Sequence, residues 1–203
     1  MDVEPRKRPR QGRAKVTVES IVEATAQVLL EHGYDKFTTA RAAERAGVSI
    51  GSLYQYFPNK AALASAVIDR CCENFLASFR SAMPRGSRAG LAEVVEAMID
   101  VTLVSHRLTP ELHKMVNDLA PRLGIEERTA TAGRAAAHMI ESTLRGYADE
   151  IAPEIDIAAA ATVIEALLEA LAHRNLAHSG PDRNSLLATE AARMIRSYLT
   201  ARR

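Results

Sequence analysis

The sequence predicts an all-α protein, on three observations. Apolar residues recur at three- and four-residue spacing through most of the chain, and no stretch alternates as a strand would. Aromatics are 4% of the residues while Ala is abundant, which suits helices packed closely through small side chains. Between Thr38 and Lys60, in TTARAAERAGVSIGSLYQYFPNK, two short helical segments are joined by a Gly-containing turn, the sequence form of a helix-turn-helix.

Residues 1–15 read as a disordered basic arm, because Pro5, Pro9, Gly12 and six Lys/Arg cannot bury a core. Thr17 is the expected cap of a first helix whose stripe is Val18, Ile21, Val22, Thr25, Val28 and Leu29, ended by Gly33. Thr38 caps the next helix, Gly47 ends it, and Ser49 caps a third that stops before Pro58. These residues, 16–60, form the predicted helix-turn-helix domain. A linking helix over 61–83, started near Asn59, carries Leu63, Val67, Ile68, Cys71, Phe75, Leu76 and Phe79 and ends at Pro84 and Gly86.

Residues 84–203 are predicted to form one helical body. Helices are expected over 87–106, from the Thr109-Pro110-Glu111 start to just before Pro121, over 124–147, from Pro153 to about 178, and from Asp182 to the basic tail. That makes nine helices in all.

The 203 residues carry a formal net charge of +1, which argues against a generic nucleic-acid coat. The distribution says more: residues 1–60 hold ten basic and seven acidic side chains, and six of the ten basic ones precede position 16. A basic arm of this kind suits phosphate contact. No run of about 18 apolar residues indicates a membrane span, and no apolar core of a signal peptide follows the basic start. A cytoplasmic protein is expected. Cys71 and Cys72 are adjacent, point in different directions on a helix and lack a CxxC partner, so they read as reduced thiols with at least one in the core.

In a helix-turn-helix the second helix lies in the DNA major groove, with its N-terminal residues at the base edges. The exposed residues of that helix are expected to be Ser49, Ile50, Gly51, Ser52, Tyr54, Gln55 and Tyr56, whose hydroxyls and amide suit phosphates or bases. Thr38 and Thr39 stand at the start of the preceding helix, where a hydroxyl and backbone N–H can hold a phosphate.

The run AERAGVSIGSLYQYFPNKAAL resembles the DNA-binding signature of TetR-type transcriptional regulators, and the likeness covers roughly residues 15–65. Later residues match that family in being helical and of suitable length. The resemblance implies a homodimer that binds a palindromic double-stranded DNA operator and responds to a small-molecule effector held in the body. Tyr54, Tyr56 and Lys60 match the family's phosphate-binding positions; Ser49, Ile50, Gly51 and Gln55 lie where it approaches bases. Many relatives carry Lys where Ile50 stands, which makes contact with a thymine methyl more plausible here.

The last two helices carry stripes of small and branched residues: Ile157, Ala161, Ile164, Leu167, Leu168 and Leu171 on one, Leu187, Ala191, Met194, Ile195 and Tyr198 on the other. They serve either the core of one chain or, as the resemblance implies, a four-helix bundle with a symmetry mate. For the effector site, the polar candidates within the family's pocket region are His106, His113, Asn117, His138, Glu141 and His173. A largely aliphatic body favours an apolar or amphipathic molecule.

Catalysis finds no support. Gly47-Val48-Ser49-Ile50-Gly51 fits G-x-S-x-G, but a nucleophile elbow needs a strand before it and a sheet beneath it. Neither HExxH nor CxxC occurs, no metal site or cofactor is expected, and the i, i+4 pair Glu169 and His173 reads as pocket lining or surface. The expected function is a DNA-binding transcriptional regulator, a repressor released by its effector; the alternative is a helical ligand-binding or scaffolding protein with a vestigial helix-turn-helix.

Overall fold

The computed structural model describes residues 3–5, 12–83, 89–108, 110–176 and 181–201. The described residues form nine helices and no strand: α1 (Gly12–Lys36), α2 (Thr39–Arg45), α3 (Ile50–Tyr56), α4 (Lys60–Ala82), α5 (Leu91–Leu108), α6 (Pro110–Leu123), α7 (Glu126–Arg145), α8 (Ile157–Leu176) and α9 (Pro181–Thr200). The chain divides into two compact units, Met1–Cys72 with Glu111–Thr129, and Glu73–Pro110 with Ala130–Arg203.

In the first unit, α1, α2, α3 and the start of α4 close over Ile21, Leu29, Phe37, Leu53, Phe57, Leu63 and Ile68. The predicted caps are present. Thr38 and Ser49 are extended N-cap residues whose side chains accept from the backbone N–H of Arg41 and Ser52. Gly47 ends α2 with φ +66°, a conformation in which a side chain is strained, while the Gly47 and Val48 N–H groups donate to Glu44 and Ala43 O. Gly33 breaks α1 with φ 71°. Asn59 Oδ1 accepts from Ala62 N at 2.9 Å and starts α4. Thr25, predicted in the buried stripe, is buried, with its hydroxyl donating to Ile21 O at 2.7 Å.

Three expectations differ here. Helix α1 begins at Gly12 and not at a Thr17 cap, so residues 12–15 of the supposed arm are helical. Val3 packs against the first core, and Glu4 pairs with Arg128, which also bonds Asp69 of α4. An apolar residue and an acid before the basic run give the segment partners that composition alone does not show; the rest of the arm, residues 1–2 and 6–11, lies outside the described residues. Helix α6 does not stop before Pro121 but runs through it to Leu123, ending where Gly124 and Ile125 N–H donate to Pro121 and Ala120 O. It also does not belong wholly to the predicted body, because Val116, Leu119, Ala120 and Leu123 are buried in the first core.

The second unit packs α5, α8 and α9 with parts of α4 and α7 over Phe79, Val94, Met98, Ile140, Leu144, Ile164, Ile195 and Leu199. Helix α8 opens at Ile157, where Asp156 Oδ1 accepts from Ala158 and Ala159 N, and not at Pro153. No helix of the described residues is long and apolar enough to cross a membrane.

Both cysteines are half-buried, so neither lies fully in the core. Burial, with the neighbouring Cys72 adding, pushes the Cys71 thiol up to about 11, which keeps it protonated and unreactive at neutral pH.

Candidate nucleic-acid interface

The structure brings the predicted DNA contacts onto α2, α3 and the start of α4. Ile50 and Tyr54 are 42% and 40% exposed, while Leu53 between them is fully buried. Gly51 and Gln55 are exposed beside them. A Cβ at Gly51 would meet only Ser49 Oγ at 3.9 Å, so the fold does not require glycine there; its use is to leave α3 with no side chain at that point. Tyr56 is half-buried against the first core.

Polar contacts hold this surface in place. Thr39 Oγ1 and the Tyr54 hydroxyl are 3.0 Å apart, tying α2 to α3. Ser49 Oγ accepts from Ser52 N at 3.1 Å and lies 2.9 Å from Ser52 Oγ, so it is engaged as a cap. The G-x-S-x-G string therefore sits in the turn between two helices, with its serine at the start of α3. At the far end of α2, Arg45 makes a bidentate pair with Glu31 of α1 at 2.7 and 2.6 Å. The hydrogen bond from Arg45 holds the Glu31 carboxyl below its usual range. Lys60 is half-buried; its Nζ donates to Tyr34 O at 3.4 Å and lies 4.5 Å from the centre of the Tyr34 ring. Its aromatic neighbour is a partner that helical spacing alone does not reveal.

A short two-helix reading head, capped and cross-braced, carries an exposed apolar and hydroxyl surface on its second helix. The family model described as "Bacterial regulatory proteins, tetR family" matches residues 21–67, and "Tetracyclin repressor-like, C-terminal domain" matches residues 90–199. The chain belongs to the TetR family. It is a family of DNA-binding regulatory proteins.

Among relatives, the A-factor receptor protein of Streptomyces griseus is 40% identical over 60 residues, 30% of this chain and 22% of that protein. The nucleoid occlusion factor SlmA of Haemophilus ducreyi is 32% identical over 110 residues, 50% of this chain and 54% of that protein. The chain thus spans about a fifth to a half of the length of these curated relatives. Among solved structures, SmeT, the repressor of the Stenotrophomonas maltophilia multidrug efflux pump SmeDEF, superposes with a TM-score of 0.66 at 22% identity, covering 88% of this chain and 89% of that one. At that identity the likeness concerns the fold alone.

The residues named for an effector fall in both units. His113 and Asn117 belong to the first unit, His138 and Glu141 to the second. The His138 side chain is 82% exposed, which unfits it as the wall of an enclosed cavity. Glu141 pairs with Arg145 at 2.6 Å and with His138 at 3.6 Å, a surface arrangement of i, i+4 and i, i+3 neighbours. The side chains of His106 and His173 lie outside the described residues. A groove of about 550 Å³ in the first unit, between the end of α1 and α6, is lined by none of these six candidates.

The predicted dimer stripes divide. Ala161, Ile164, Leu168, Ala191 and Ile195 are buried in the second core of the single chain, and Ile157, Leu167, Leu171 and Leu187 are half-buried. The buried five face the core of their own chain. Met194 and Tyr198 are exposed, at 61% and 43%, and with them Val163 and Leu186, which the stripes omitted. Val163 sits about 100° around α8 from Ile164, so a search along one stripe passes over it.

Proposed function

We propose that the protein is a transcriptional repressor that binds a palindromic operator as a homodimer and is released by a small-molecule effector. The observation that carries this reading is the exposed face of α3, where Ile50, Gly51, Tyr54 and Gln55 stand clear of the core behind a capped N-terminus. Ile50 offers a methyl surface suited to thymine, and the hydroxyls of Thr39 and Tyr54 suit phosphates. Thr38, Ser49, Tyr56 and Lys60 complete the proposed contact set.

One such helix reads few base pairs. A two-fold dimer doubles the site and places two copies about 34 Å apart on successive major grooves. The exposed apolar residues Val163, Leu186, Met194 and Tyr198 supply a surface for that pairing. An effector would release DNA by its higher affinity for a state with the reading heads wrongly spaced, and by no more than that difference. The S. griseus relative's name, a receptor protein, and SmeT's, a repressor, support this reading.

The test is selection of bound genomic fragments followed by a reporter carrying the recovered site. Repression by the intact protein, lost on Tyr54→Ala, supports the proposal. The relative named a nucleoid occlusion factor favours one other outcome: DNA binding without any effect on a promoter.

A further inference from the structure

Lys60 is the one charged side chain among the proposed DNA contacts, and its head group is held by Tyr34. Its Nζ lies 4.5 Å from the centre of the Tyr34 ring and donates to the Tyr34 carbonyl oxygen at 3.4 Å. The ring itself is braced. Tyr34 is half-buried against the first core, and the Arg122 guanidinium of α6 lies 5.4 Å from the same ring. Arg122 is in turn fixed to Asp35, the residue after Tyr34, by an Nη2–Oδ1 bond of 2.6 Å.

We propose that Tyr34 is a positioning residue for DNA binding, its ring face and carbonyl oxygen holding the Lys60 ammonium where a backbone phosphate meets it. The inference rests on the reading of Lys60 as a phosphate contact. A lysine ammonium rides on a flexible four-carbon stem, and ordering that stem opposes binding. Here the stem is ordered before DNA arrives. The ring attracts the cation through its quadrupole and uses none of its N–H groups. The ammonium has three N–H donors. The carbonyl takes one and leaves the others for phosphate oxygens. The Asp35 carboxylate offsets the Arg122 charge, so two cations can lie near one ring without strong mutual repulsion.

The experiment measures binding of the full chain to a labelled duplex of about 30 base pairs of arbitrary sequence across a range of salt, so that phosphate contacts dominate. The variants are Tyr34→Phe, Tyr34→Leu, Lys60→Ala and the Tyr34→Leu, Lys60→Ala double. Thermal melting of each variant is followed alongside. Lys60→Ala should flatten the log–log salt slope by about 0.9 per chain. Tyr34→Leu should weaken binding about two- to fivefold at fixed salt and move the slope towards that of Lys60→Ala. Tyr34→Phe keeps the ring and the carbonyl and should bind as the unaltered protein. In the Lys60→Ala background, Tyr34→Leu should have no further effect.

Equal losses from Tyr34→Leu in both backgrounds would mark a merely structural residue and overturn the inference. Tighter binding by Tyr34→Leu would overturn it too, by showing that the ring withholds Lys60 from DNA. Weakening by Lys60→Ala with none from Tyr34→Leu would sink the role of Tyr34 and leave the phosphate contact standing. No change from Lys60→Ala would remove both.

Discussion

The hydroxyls of Thr39 and Tyr54 meet at 3.0 Å, joining the first turn of α2 to the exposed face of α3. Two hydroxyls carry two protons. One is used between them, and the other is left to donate outward. The pair thus acts as one donor towards DNA, whichever residue presents it. Tyr54→Phe and Thr39→Val should each weaken operator binding about three- to tenfold, and the double variant should lose less than the product. Losses that multiply, measured by fluorescence anisotropy, would show two independent contacts.

The clamp between Arg45 and Glu31 gives the reading head a pH dependence of known sign. The hydrogen bond from Arg45 lowers the Glu31 carboxyl below its value in the unfolded chain. The folded state therefore gains from the ionised form: the contribution is full above the ordinary glutamate value of about 4.3 and is lost as pH falls through the lowered one. Glu31→Gln should melt earlier than the unaltered protein at neutral pH, and the two should converge once the pH lies below the lowered value. A gap that persists in acid would assign the loss to packing.

Glu165 on α8 runs the other way. Burial raises its carboxyl, with the charge of Glu169 adding, and a Cβ placed on Gly133 of α7 would lie 2.9 Å from its Oε1. The folded state holds the proton more tightly than the unfolded chain. Stability therefore falls as pH rises from the ordinary glutamate value through the raised one, and the penalty is complete above it. Glu165→Gln should stabilise the protein at neutral pH, by less than about 1 kcal/mol after allowance for its half-exposed position, and change little in acid. A neutral-pH melting temperature that drops on Glu165→Gln would reveal a favourable ionic partner for the carboxylate.

The two kinds of apolar position on α8 and α9 predict opposite results for one kind of substitution. Val163→Asp and Met194→Asp alter exposed side chains, so each should leave a folded chain that sediments as a monomer. Ile195→Asp places an unpaired acid in a core position only 3% exposed and should cost several kcal/mol, enough to unfold the second unit. A folded dimer that survives both surface substitutions would move the proposed interface off this face.

The reading head was the most legible part of the chain. Thr38, Gly47, Ser49 and Asn59 act locally, each completing hydrogen bonds with residues three or four positions away, and local rules find such residues. The family match over 21–67 confirms the same stretch. Partner choice was not legible. The stripe of Met115, Val116, Leu119 and Leu123 announces an amphipathic α6, yet the pattern cannot say that it joins the first core. The same blindness made buried Ile164 and Ile195 look like interface residues, since spacing gives a face and not what covers it. Contacts made through a ring or a carbonyl, as at Tyr34 and Lys60, leave no periodic trace at all.

The central claim is that α3 reads a specific two-fold DNA site. The most direct measurement is a titration of the purified chain against operator DNA recovered from its own genome, at two salt concentrations, with scrambled duplex as competitor. The expected result is tight, competitor-resistant binding of two chains per palindrome, abolished by Tyr54→Ala and relaxed in sequence preference by Ile50→Ala. Binding that is weak, steeply salt-dependent and displaced equally by scrambled DNA for every recovered fragment would contradict it.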